Sequence, residues 1–172
     1  CGIQSLALDQ TTFDCTMVGT NTVILTVTDV NDNISTCSAT VTVEDNVAPI
    51  ANCQDITVPL DASGNVSISA TDVNDNSTDN CLIDSIAVDP SVFDCTMLGL
   101  NTVTLTVFDE NGNSSSCTAT VTVEDITPPV ALCQDITISL DVLGSEGIIV
   151  NKIDIGSYDV CELDTIYIDL AE

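Results

Sequence analysis

Residues 101–124 read NTVTLTVFDENGNSSSCTATVTVE. On the first arm Val103, Leu105 and Val107 alternate with Thr; on the second, Cys117, Ala119, Val121 and Val123 do the same. Alternation of period two puts the apolar set on one face of a strand and the Thr set on the other. Between the arms stands Asp109-Glu110-Asn111-Gly112-Asn113, and Asn-Gly is a strong hairpin signal. The stretch therefore predicts a β-hairpin with one buried and one solvated face.

The pattern is not unique to that segment. Residues 21–44 read NTVILTVTDVNDNISTCSATVTVE, an earlier copy of the same hairpin. The cysteines at 1, 15, 37, 53, 81, 95, 117, 133 and 161 obey the same offset: adding 80 to any of the first five numbers gives another cysteine. A fixed offset of this kind predicts tandem repeats. Residues 1–49 read as the back of one repeat, 50–129 as a complete repeat and 130–172 as the front of a third, with joints near Pro49 and Pro128-Pro129. In the complete repeat Ile56, Val58 and Leu60, then Val66, Ile68 and Ala70, mark two further strands; SIAVDP and SVF mark two more. Short alternating strands in a unit of that length predict an all-β sandwich, with no segment reading as helix.

Charge excludes several functions. Lys+Arg number 1 against 27 Asp+Glu, a net charge of -26. Without basic groups there is no footprint for nucleic acid, and anionic membranes repel the chain. No apolar run approaches the ~18 residues of a membrane span. Catalysis has little to work with: His is absent and Lys152 is the sole cation, so acid–base work would fall to carboxylates recurring at turn spacing. The sequence reads as a non-enzyme. It begins at Cys1 without a signal peptide and stops mid-pattern, and so reads as a window from a longer secreted chain.

Four cysteines per repeat, without CxxC pairs or His, predict disulfides rather than zinc. Cys81 and Cys95 lie equidistant from residue 88, so a hairpin turning at Asp89-Pro90 predicts Cys81–Cys95, and Cys1–Cys15 as its equivalent. Cys53 opens the first strand and Cys117 the last, both at the pole where the chain enters, which predicts Cys53–Cys117. Cys37, Cys133 and Cys161 are expected to have partners outside this window.

The carboxylates suggest a cation. Asp29/Asn31/Asn33, Asp72/Asn74/Asn76 and Asp109/Asn111/Asn113 share Asp-x-Asn-x-Asn spacing, which offers alternate oxygens to Ca²⁺. A bidentate Glu on the matching frame is missing, so affinities near the ~10⁻⁴–10⁻³ M of extracellular modules are expected. Asp, Asn and Gly are also ordinary turn residues. Asp55 and the Glu44-Asp45 pair are expected near the same pole, where carboxylates without a basic neighbour would favour a cation. DVNDN also resembles the cadherin linker motif, but neither copy follows a last strand.

CQDITV, DNC, TVTLTVFDENGNSSSCTATVTVED and the PP after it resemble the hyalin-type (HYR-like) repeat. The resemblance is to the tandem version in giant surface adhesins of gliding Bacteroidota. It implies an immunoglobulin-like sandwich, export to the cell surface, and a role as a stalk or adhesive filament. Expected partners are neighbouring repeats, like chains in a filament, and surface polysaccharide or other cells. In the third copy DVLGSEGIIVNKIDIG departs from DASGNVSISATDVNDN. Asp84-Ser85-Ile86 and Asp164-Thr165-Ile166 resemble the O-glycosylation signal of Bacteroidota, implying glycans at Ser85 and Thr165. The competing reading is a polysaccharide-binding accessory module of a secreted protein. It is disfavoured by the scarcity of aromatics for sugar stacking, with Phe108 the lone candidate.

Overall fold

The computed structural model describes residues 2–168. It is all-β apart from two single-turn helices and two 3₁₀ turns. In chain order the elements are β1 (Ile3–Leu8), β2 (Gly19–Asp29), β3 (Ile34–Val43), β4 (Ile56–Pro59), β5 (Asn65–Ser67), α1 (Ala70–Val73), β6 (Ile83–Asp89), β7 (Val92–Asp94), β8 (Gly99–Asp109), β9 (Ser114–Glu124) and α2 (Val150–Ile153). The 3₁₀ turns span Cys15–Met17 and Cys95–Met97. Two compact units are formed. One takes the chain up to Asn52 with Asn76–Ala87 and Thr106–Cys117; the other takes Cys53–Asp75, Val88–Leu105 and the chain from Thr118 onward.

The first unit is built on the antiparallel sheet β1-β2-β3. Val23 pairs with Ala39 and Leu25 with Cys37, so the alternating apolar residues of both arms share one face. The turn between β2 and β3 needs a left-handed residue, and Asp32 supplies it with φ of 63°. In the later copy of this hairpin the same position is Gly112, with φ of 92°. Glycine adopts that conformation without the steric cost Asp32 bears.

A four-stranded sheet runs in the order β4-β9-β8-β6. Strands β4 and β9 are parallel, with Ile56 opposite Val121 and Val58 opposite Val123. Val103, Leu105, Val107 and Val121 are wholly buried, and Ala119 and Val123 nearly so, while Thr102, Thr104 and Thr118 are exposed. The hairpin's alternation thus settles which face is inside. Strands β5 and β7 form a separate two-stranded sheet, with Val66 opposite Phe93, the single fully buried aromatic ring among the described residues.

One segment departs from the sequence reading. The alternation predicts a strand through Ile68 and Ala70; instead Ala70–Val73 form α1 and bury Val73. The Asp72 carboxylate accepts hydrogen bonds from Ser69 N–H (2.7 Å) and Ser69 Oγ (2.8 Å), closing the helix start. The segment around Cys133 and α2 has the same local structure. Gln54 Nε2 donates to Asp72 O and Gln134 Nε2 to Lys152 O, both at 3.0 Å. Cys53 bridges Asn74, and Cys133 bridges Asp154, in the same antiparallel fashion. The retained Cys-Gln-Asp-Ile anchors the turn through backbone carbonyls, so the side chains of α2 are free to change.

Candidate functional site

Past the end of β3 the chain places Asp45. Its Oδ1 accepts from Val47 N–H (3.1 Å) and from Asn80 Nδ2 (3.2 Å). Asp79 closely precedes Cys81; its Oδ2 accepts from the N–H groups of Cys81 (2.9 Å) and Leu82 (3.2 Å). Asp109 ends β8 and is only 4% exposed. Its Oδ1 accepts from Asn111 N–H (2.9 Å) and Asn113 N–H (2.7 Å), and its Oδ2 from Asn113 Nδ2 (2.7 Å).

These three carboxylates converge, each offering an oxygen within 4.8 Å of the others. Asp45 Oδ2 and Asp79 Oδ1 are buried with no hydrogen-bond partner. Burial opposes the ionisation of Asp109. The side-chain hydrogen bond from Asn113 and the N–H groups of Asn113, Asn111 and Gly112 outweigh it, and its pKa lies below the ordinary value. The chain's one cation is Lys152. A group of hard oxygens with two buried acceptors that no protein group satisfies is the donor chemistry of a divalent cation such as Ca²⁺, and the residues fit that group.

Asn113 links the site together. Besides Asp109, its Nδ2 donates to Asp45 O at 3.0 Å and lies 3.5 Å from Val47 O. The spacing predicts that Asn113 offers oxygen to a metal; the structure shows its Nδ2 acting as a donor to Asp45 O and Asp109 Oδ2. The Asp-x-Asn-x-Asn spacing here builds a turn whose N–H groups collect on the first Asp. The same holds at Asp29, which accepts from Asn31 N–H (2.7 Å), Asn33 N–H (2.9 Å) and Asn33 Nδ2 (2.9 Å). Asp72 caps α1, Asn74 N–H closes that helix onto Ala70 O (3.1 Å), and Asn76 O accepts from Asn52 Nδ2 (3.3 Å) with its own φ at 53°. Asp55 Oδ1 accepts from Thr120 N–H (2.7 Å). Of the expected ligands, the converging group contains Asp45 and Asp109. Sequence reasoning missed its third member, Asp79. A signal existed: Asp79 before Cys81 recurs as Asp159 before Cys161, and Asp159 Oδ1 is again buried without a partner.

Beside the carboxylates lies a disulfide that corrects the expected pairing. Cys15 bonds to Cys81, with a Cα–Cα distance of 5.3 Å, and Cys95 bonds to Cys161, at 5.1 Å. Neither Cys81–Cys95 nor Cys1–Cys15 forms. The reason is topological: β6 joins the four-stranded sheet and β7 pairs with β5, so the chain at Asp89-Pro90 crosses between sheets and makes no hairpin. Cys161, expected to find its partner beyond the window, finds it at Cys95. Cys53 and Cys117 are also disulfide-bonded. Cys37 and Cys133 are exposed free thiols, and Cys1 lies outside the described residues. Each bridge begins at a 3₁₀ turn whose preceding Asp positions the cysteine: Asp14 Oδ1 accepts from Thr16 N–H (2.9 Å), and Asp94 Oδ1 from Thr96 N–H (2.8 Å).

Residues 44–123 match the family model of the HYR domain. This segment is a HYR domain. Asp45, Asp79 and Asp109 all fall inside it, so one HYR domain carries the whole carboxylate group. The HYR domain is an extracellular-type, immunoglobulin-like module, in keeping with the disulfides. No helix among the described residues is long and apolar enough to cross a membrane. No curated protein matches the chain. Ser85 on β6 and Thr165 are both exposed, and Ser85 Oγ donates to Asp84 Oδ2 at 3.1 Å.

Proposed function

We propose that this chain is a structural segment of a long cell-surface filament or adhesin, stiffened by Ca²⁺ and without catalytic activity. The observation that carries the reading is the Cys15–Cys81 bridge, which ties residues of consecutive sequence periods together next to Asp45, Asp79 and Asp109. The polar residues of the group sit in turns and beside a covalent tie, and no His or Arg stands among them to serve as a general base or an electrophile. Ca²⁺ at the carboxylates would remove their mutual repulsion and fix the loops that carry them. The adhesive target is another cell or a surface polysaccharide, and the high negative charge keeps filaments apart in its absence. Exposed Ser85 and Thr165 are proposed O-glycan sites, to be checked by the intact mass of the native protein.

Two experiments test the reading. Antibody raised against the segment should label intact cells without permeabilisation; labelling only after permeabilisation would refute the surface assignment. Melting in ~2 mM Ca²⁺, above the expected range of dissociation constants, should lie higher than melting in EDTA. With Kd near ~0.2 mM the linkage is about 1.4 kcal/mol, or roughly 3–6 °C for a chain of this size. Coincident curves would remove calcium from the proposal and leave the filament.

A further inference from the structure

The two bridges, taken with the chain between them, define a route for force. Cys15–Cys81 shunts the backbone between those residues, and Cys95–Cys161 does the same one period later; each has a sequence separation of 66. Between the shunts only the segment from Cys81 to Cys95 carries tension, and it comprises β6 and β7. Cys53 and Cys117 lie off this route, inside the two shunted loops. We infer that the HYR domain and its neighbours are shielded from stretching by a covalent relay, Cys15–Cys81 to Cys95–Cys161. Most of the fold can then open while the relay limits how far the chain extends.

The lengths follow from backbone geometry. Fully extended, a chain reaches about 3.4 Å per residue. Without bridges, Cys15 and Cys161 therefore separate to about 500 Å. With the bridges, the extended segment from Cys81 to Cys95 and two cystines at 5.3 and 5.1 Å give about 58 Å. The oxidised relay therefore holds the fully extended separation of Cys15 and Cys161 to about a tenth of its unbridged value. The pairing expected from sequence, Cys81–Cys95, would do the opposite: it would shunt the short segment and leave the long ones to stretch. This inference does not rest on the surface-filament reading, because it concerns the covalent path of this chain alone.

The test is single-molecule stretching of the whole chain from its two ends, oxidised and then in a phosphine reductant. The oxidised chain should stop at about 140 Å and the reduced chain should reach about 580 Å. A peptide map of the unreduced protein accompanies it and should contain Cys15–Cys81 and Cys95–Cys161 fragments. An oxidised chain that stretches past about half the reduced length, or a map with Cys81–Cys95 in their place, overturns the inference. Loss of the calcium response would not affect it, so the two proposals fail separately.

Discussion

Cys15 and Cys81 are disulfide partners, with a sequence separation of 66 and only 5.3 Å between their Cα atoms. The bridge holds Asp79, close to Cys81 in the chain, against Asp45 and Asp109. Loop-closure entropy for that span is worth about 4 kcal/mol. The double variant Cys15→Ser/Cys81→Ser should lose roughly that much in urea unfolding and should show a weaker calcium response. A variant as stable as the parent would mean that the bridge adds nothing beyond the non-covalent contacts.

Asp79→Asn separates repulsion from fold. With one carboxylate neutralised, the variant should melt higher than the parent in EDTA and should no longer respond to calcium. Because the two effects have opposite signs, general destabilisation cannot imitate them. A lower melting point in EDTA would show that Asp79 is held by its hydrogen bonds to Cys81 and Leu82 more than it is opposed by its neighbours.

Gly64 is confined by the second bridge. Its φ is 75°, and a Cβ there would stand 2.8 Å from Cys95 Sγ and 3.2 Å from Val160 Cγ2. Gly64→Ala combines a left-handed backbone cost of about 1–2 kcal/mol with that clash. It should lower the urea midpoint and make Cys95–Cys161 easier to reduce, while Cys15–Cys81 keeps its parent reactivity in differential alkylation.

Acid should unfold the chain through its turns. Asp29, Asp61, Asp72 and Asp94 have pKa values lowered chiefly by hydrogen bonds from Asn33, Ser63, Ser69 and Thr96. In Asp109 burial acts the other way, yet the Asn113 and turn N–H bonds prevail. A carboxylate with a folded pKa below its unfolded value of about 4 gives its full stabilisation above that value. The contribution is lost as pH falls through the folded pKa. Urea midpoints in EDTA should therefore be level above about pH 4 and decline below it; a rise on acidification would mean that relief of the overall negative charge dominates.

The hairpins are legible in the sequence because a two-residue period leaves no doubt about which face of β8 and β9 is buried. The turn at Asp109–Asn113 is equally plain, but its purpose is not. Oxygens at alternate positions suit a metal and an Asp-centred turn alike, and the N–H groups that collect on Asp29 and Asp109 build the turn in either case. Asp79 escapes a reading by motif because its partners, Asp45 and Asp109, come from distant loops on either side of it in the chain, and no local spacing connects them. The cystine error comes from treating Asp89-Pro90 as a hairpin. Strand-pairing partners for so short a strand as β7 are decided by tertiary packing around Phe93, which one-dimensional pattern does not carry.

The long reach of each bridge, a separation of 66 in the chain, also orders events in time. Cys15 has no partner until Cys81 has been synthesised, which at about 5–20 residues per second is a wait of roughly 3–13 s. During that wait its thiol is open to the wrong partner, and Cys37 and Cys53 are both made first. Correct maturation therefore requires that oxidation be slower than elongation, or that an isomerase revise early mistakes. Each segment is finished only by the arrival of the next.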